Sequence, residues 1–378
     1  MKKHIFTLAA CVLGLLAGAC KPANDNGIPV YHVDPHKLSD ASFDDFYKLK
    51  EVIVLETGHP AAMVPGIDHI IFSENRIITA RYWDENGGFF IFDKDGKFVN
   101  NINKRGNGPG EYGNKLEYFA IDQARPDWLL MCKTGNLYAY NFKTWEYHDS
   151  IPWRSFRDIP VPLPNGQFLR YSEGRSDYLI KLIDREGNEI KNFLPIPQIP
   201  MSVPMYLSSF ARVQQGRVFV APFRSNRVYE YHCADASLTE LYRISIAGHP
   251  EFDFEEYTPE TVGFQDNYKN TYTPFLMNMG MKYHFIRANP MDGQSPSVAL
   301  LIAPAEGRVV SMTTSFEDRE NELPLTILAD HNAGSPVAVL YPEALMKHPT
   351  TKPDSWGSKL KKLLKEDDNP VILIYEER

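Results

Sequence analysis

Residues 101–114 read NINKRGNGPGEYGN. Gly106, Gly108, Pro109 and Gly110 crowd together there, beside Lys104, Arg105 and Glu111. A glycine-rich loop of this kind either cradles a phosphate or turns the chain. A phosphate loop needs a lysine and a serine or threonine directly after its glycines, followed by a helix whose N–H groups face the anion. No such lysine follows, and the next segment, LEYFAID (116–122), has the pattern of a strand. A dinucleotide-binding loop fails on the same missing helix. The stretch is therefore read as a tight connection between two sheets, in which glycines supply unusual φ values and Pro109 fixes one.

Working outward, the chain is a series of short strands with turn punctuation. IDHIIFSENRIITARYW (67–83) is two strands around Ser73-Glu74-Asn75. GFFIFDKDGKFVNNIN (88–103) is a hairpin whose turn, Asp93-Lys94-Asp95-Gly96, offers glycine for a positive φ. Together they form a four-strand meander. The unit recurs over 116–153, 156–196, 208–246 and 273–313. A sixth unit, LTILADH (325–331), PVAVLYP (336–342) and NPVILIYEE (369–377), lacks its outermost strand. EVIVLET (51–57) is the spare one, and pairing it with the terminal strand closes a ring without an open edge. The fold class expected is all-β: a six-bladed β-propeller with an N-terminal strand closing the last blade. One short helix is inserted near the C-terminus, SWGSKLKKLLKEDD (355–368), with Leu360, Leu363 and Leu364 at helical spacing.

IDHIIFSENRIITA, FFIFDKDGKFVNNINKRGNGPGEY and the ending DDNPVILIYEER together resemble the six-bladed β-propeller lipoproteins common in Bacteroides-type bacteria, a TolB/NHL-like propeller. The resemblance runs from about Val52 to the end. It implies fold and location far more than activity.

Composition agrees. The 378 residues are enough for a large core, and the 20 tyrosines and 22 phenylalanines favour strands. A net charge of −8 argues against nucleic acid as a partner. At the N-terminus, Lys2 and Lys3 precede an apolar run too short to span a membrane comfortably, and AGAC ends at Cys20. This resembles a lipobox. Residues 1–20 are read as a lipoprotein signal peptide with Cys20 acylated, 21–50 as a tether and 51–378 as the propeller. Lys21 rather than aspartate follows the cysteine, so an outer-membrane lipoprotein is expected, facing the periplasm or the cell surface. Cys132 and Cys233 are read as buried thiols by default, and their pairing is left open.

Strand alternation places the loop after each second strand, and each connection to the next blade, on one face. The longer loops gather there, where function tends to reside. At that end of the second strands stand Arg81, Lys133, Arg224 and Arg287, with Arg170 or Arg175 in the third blade. Arg105, Tyr82, Trp83 and Tyr112 are their neighbours in sequence. Arginine forks suit carboxylate or sulfate, and the aromatics could stack on sugar faces. The alternative is that nearby acids pair with these cations. Nucleophile motifs such as GxSxG are absent, and no Cys/His spacing suggests zinc. The expectation is a non-enzymatic ligand- or partner-binding envelope lipoprotein without cofactor or metal. It takes a glycan, an anionic ligand or a protein partner at the long-loop face. The alternative is a carbohydrate- or lactone-directed hydrolase or lyase working in the central channel.

Overall fold

A computed structural model describes residues 23–73, 75–81, 88–106, 108, 110–111, 118–133, 135–141, 143–153, 159–171, 177–195, 211–214, 216–222, 225–249, 272–290, 294–328 and 335–378. The chain opens with β1 (Ala23–Asp25), β2 (Ile28–Val33) and β3 (Tyr47–Val54). Blade one is β4 (His69–Ser73), β5 (Arg76–Ala80), β6 (Phe89–Asp93) and β7 (Phe98–Ile102). Blade two is β8 (Tyr118–Ile121), β9 (Trp128–Lys133), β10 (Asn136–Asn141) and β11 (Tyr147–Pro152). Blade three is β12 (Ile159–Pro162), β13 (Phe168–Tyr171), β14 (Tyr178–Ile183) and β15 (Glu189–Pro195). Blade four is β16 (Ala211–Gln214), β17 (Arg217–Val220), β18 (Arg227–His232) and β19 (Ser237–Ile246). Blade five is β20 (Tyr272–Met279), β21 (His284–Pro290), β22 (Val298–Ala303) and β23 (Arg308–Met312). The last sheet has β24 (Phe316–Asp318), β25 (Leu323–Leu328), β26 (Val337–Leu340) and β27 (Val371–Glu377). Helices α1 (Pro342–Lys347) and α2 (Trp356–Leu363) lie between β26 and β27. The six sheets form a six-bladed β-propeller.

Blades stack face to face, so their middle strands are apolar on both sides rather than alternating. In FFIFD of β6, Phe89 and Ile91 enter the core shared with blade two, whereas Phe90 and Phe92 enter the core shared with blade six. In VALLIA of β22, Ala299, Leu301 and Ala303 face blade six, and Val298, Leu300 and Ile302 face blade four. This two-sided burial produces the unbroken hydrophobic runs of the sequence.

The ring closes as the spare strand requires. β3 pairs antiparallel with β27, from Val54 opposite Val371 to Tyr47 opposite Glu377. Asn369, 1% exposed, locks the junction. Its Oδ1 accepts from Val64 N–H at 2.8 Å, and its Nδ2 donates to the carbonyls of Glu56 and Ala62 at 2.7 and 2.8 Å.

Three expectations are corrected. The segment read as a 21–50 tether is largely part of the fold. β2 adds to the outer edge of blade four, parallel to β19, and Tyr31 and Val33 are buried there. Ser39 N–H reaches Ser311 of β23, and Phe43, Phe46 and Tyr47 fill the groove between blades five and six. The strap thus crosses three blades before β3 begins. Its prolines and polar residues suggested a solvated linker, but alternate apolar residues suffice to dock one strand on an existing sheet edge. Second, the predicted helix is α2, but α1 precedes it, and Leu363 is 66% exposed while Leu360 and Leu364 are buried. Third, β24 adds a hairpin to the last sheet through the first half of β25.

Candidate functional site

The glycine stretch is a braced connection. Gly108 N–H donates to the Glu111 carboxylate at 2.7 Å, and a Cβ on Gly106 (φ 139°) would overlap that carboxylate. The loop's own acid therefore occupies an amide that a bound phosphate would need. The Tyr140 hydroxyl donates to Gly110 carbonyl at 2.8 Å, and the Lys104 ammonium donates to Trp145 carbonyl while lying over the Tyr140 ring. A side chain and a backbone carbonyl of blade two thus hold the loop leaving blade one.

The basic residues do not share one environment. Arg81 follows β5 and is exposed; its Nη1 donates to Pro65 carbonyl at 3.3 Å. Arg287, in β21 between Phe275 and Ala299, is half-buried, and its Nε donates to Asn289 Oδ1 at 2.9 Å. Among the described residues neither has a carboxylate partner within ion-pair distance. Many other described arginines do. Arg125 and Arg185 meet Asp122, Arg217 meets Glu230, and Arg243 meets Glu240. Arg170, the third-blade candidate, is one of these: it lies 8% exposed and bonds Glu189 at 2.8 Å, a carboxylate shared with Lys181. The hydrogen bond from Lys181, aided by the Arg170 charge, outweighs burial and holds the Glu189 carboxyl below its ordinary range. For Arg170 the pairing alternative holds.

Arg105 is half-buried and already engaged. Lys133 closes β9 with its backbone opposite Asn136, and its side chain lies outside the described residues. Tyr82, Trp83, Tyr112 and Arg224 also lie outside them. A cleft of about 450 Å³ opens where α1 meets the connection from β3 to β4. Pro65, which accepts from Arg81, forms part of its wall, and its charged lining is Glu343, Lys347, Glu366 and Asp368, with Lys347 paired to Glu343. Among the described residues no group of three or more His, Cys, Asp or Glu side chains could hold a metal ion. Cys233 is a free thiol, and burial pushes its pKa up.

One polar cluster was not legible from sequence. Between blades four and five, the Tyr242 hydroxyl and His284 Nδ1 share a hydrogen bond of 2.9 Å, and both residues are buried. Arg217 forks onto Glu230 with two contacts of 2.8 Å close by. Burial first, and the Arg217 charge second, push the His284 pKa down to about 4, so the ring is neutral at physiological pH. These residues come from four strands, and only blade packing brings them together.

The family described as "Domain of unknown function (DUF4934)" matches residues 28–376. The chain belongs to the DUF4934 family. The match begins at β2, which agrees with the strap being integral to the fold. This DUF4934 chain is similar in structure to a protein of Bacteroides fragilis described as exported. The TM-score is 0.69 at 17% identity, covering 92% of this chain and 99% of that one. It also matches a member of the DUF4221 family from Bacteroides vulgatus, with a TM-score of 0.46 at 8% identity, covering 88% and 98% of the two chains. No curated protein matches. Among the described residues no helix is long and apolar enough to cross a membrane.

Proposed function

We propose that this DUF4934 protein is a non-enzymatic binding protein of the cell envelope, held to the outer membrane by lipid at Cys20. Its ligand is an anionic or glycan group taken at the face that carries the long connections. The observation behind the ligand class is the state of Arg81 and Arg287. Arg81 directly follows β5 and Arg287 lies within β21, the second strands of their blades, and neither has a carboxylate partner among the described residues, unlike Arg125, Arg170, Arg185, Arg217 and Arg243. An arginine without an acid keeps its fork available for a carboxylate, sulfate or phosphate. The location rests on the AGAC sequence ending at Cys20, and it is supported by likeness to a protein described as exported.

The ligand is tested with a glycan array on the chain lacking residues 1–20, which the signal reading removes or acylates. Replacing Arg81, Arg224 and Arg287 together by Gln should abolish binding and leave the melting temperature nearly unchanged. Each exposed contact should contribute about 1 kcal/mol and weaken with salt. A lower melting temperature with binding intact would assign the arginines to structure instead. The anchor is tested separately. Cys20→Ala should remove palmitate label and move the protein from the membrane pellet to the soluble fraction. Unchanged labelling and fractionation would refute it.

A further inference from the structure

Helix α2 is attached to the core by Leu360 and Leu364, yet it turns two large apolar side chains to solvent. Trp356 is 39% exposed and Leu363 66% exposed. Lys359 lies between them with its ammonium 5.3 Å from the Trp356 ring centroid, and Lys362 and Lys365 are exposed beside Leu363. Positions three and seven apart fall on one side of a helix, so Trp356, Lys359 and Leu363 form a single stripe. An indole and a leucine flanked by lysines are the side chains expected of a helix lying in a bilayer interface, and the nearby acids, Asp354 before the helix and Glu366, Asp367 and Asp368 after it, lie beyond its two ends. The apolar groups enter the headgroup boundary, while the ammonium groups reach lipid phosphates.

The path of the N-terminus argues for that occupant. Only Lys21 and Pro22 separate Cys20 from β1. Three peptide steps span at most about 10 Å, so Cys20 has no leash. β1 runs antiparallel to β2 with Ala23 opposite Val30, and β2 runs parallel to β19 with Val33 beside Ile246. Traced from Asp25 to Ala23, β1 therefore points toward the Ile246 end of blade four. That end of an outer strand lies on the face of the blade-to-blade connections. The β26–β27 connection, which carries α2, leaves blade six on the same face by strand alternation.

We propose that the exposed stripe of α2 rests on the anionic surface of the bilayer that holds Cys20. The propeller is then fixed to the membrane at two places, on blades four and six, rather than swinging from one lipid. Contact on that side of the rim raises blade one, with Arg81, from the lipid and brings blade five, with Arg287, toward the headgroups. The inference rests on the acylation of Cys20 proposed above, and the experiment separates the two.

The membrane form of the full chain is extracted and reconstituted into vesicles of phosphatidylcholine and phosphatidylglycerol, with and without bromine on the acyl chains. Its intact mass reports acylation. Trp356 is one of five tryptophans, so Trp356→Phe isolates its share of the emission. Brominated lipid should quench the parent, and Trp356→Phe should lose that quenching while melting like the parent. Replacing Lys359, Lys362 and Lys365 by Gln, or omitting the anionic lipid, should weaken it at least about two-fold. An acylated parent whose quenching is absent, or unchanged in Trp356→Phe, overturns the inference and leaves the anchor standing. An unacylated chain overturns the anchor, and quenching of Trp356 in that chain would uphold the helix contact alone. A dimer that is lost in Trp356→Phe, with no quenching, would assign the stripe to a second copy of the chain.

Discussion

Deletion of Glu51–Thr57 is expected to yield a protein that does not fold as a monomer at room temperature. The deletion removes the partners of Val371–Ile374 and leaves that part of β27 as an open apolar edge. It also removes Ile53 and Leu55, which are 5% and 1% exposed. Losing each such side chain costs about 2–5 kcal/mol. Together with the lost ladder, this consumes most of the roughly 5–15 kcal/mol that stabilises an ordinary domain. An exposed apolar edge also pairs with other chains, so aggregation should accompany the loss. Size-exclusion chromatography and thermal melting decide the matter. A truncated chain that is monomeric and melts like the parent would show that β3 does not close the ring. Leu55→Ala provides a graded check, with an expected loss of about 3 kcal/mol in a chain that still folds.

The second large effect is a loss of stability between about pH 6.5 and pH 4, traceable to His284. In the folded chain its pKa is about 4, whereas an unfolded histidine titrates near the ordinary 6.5. Above the unfolded value the ring is neutral in both states and stability does not depend on it. As pH falls through the window, the unfolded chain gains a proton that the folded chain refuses, so unfolding becomes more favourable. Below about 4 both states are protonated and the contribution levels off. The slope reaches about 1.4 kcal/mol per pH unit, and the whole window amounts to roughly 3 kcal/mol. Carboxylates held low, such as Glu230 beside Arg217 and Glu322, act later. Burial alone would raise the Glu322 pKa, but the Thr351 and Ser355 hydroxyls and the Thr351 and Lys352 N–H groups hold it at about 2. Such groups withdraw stability only as pH falls below their ordinary value of 4.5. In the upper part of the window these two carboxylates are silent, and Asp318, whose carboxyl burial raises, acts in the opposite sense, so comparison with a His284 variant assigns the loss. Urea unfolding of the parent and of His284→Gln at a series of pH values should give curves that converge as the pH drops. Parallel curves would remove His284 from the acid response.

The strand-and-turn rhythm, the number of blades, ring closure by an N-terminal strand and the presence of α2 are all legible in the residues, although the closing strand, read at 51–57, runs from Tyr47 to Val54. Each of these is local, or follows from one long-range rule. Apolar runs such as FFIFD and VALLIA are long because both sides are buried, glycine-bearing turns such as that at Gly96 are short-range, and an unpaired terminal strand must find the spare one. The cationic candidates could be named from their positions at strand ends, but their roles could not. Whether an arginine is committed depends on what another strand places opposite it. Arg170 finds Glu189 across the sheet, whereas Arg81 finds a carbonyl. That difference is set by blade packing, not by local sequence. The same packing builds the polar strap of 28–46 into blades four to six, because a docked edge strand needs just a few buried side chains such as Tyr31 and Phe43. The His284 and Tyr242 pair, and the outward turn of Leu363 beside the buried Leu360 and Leu364, belong to the same class. Helical spacing groups these leucines, but the position of blade six sets which of them meets the core.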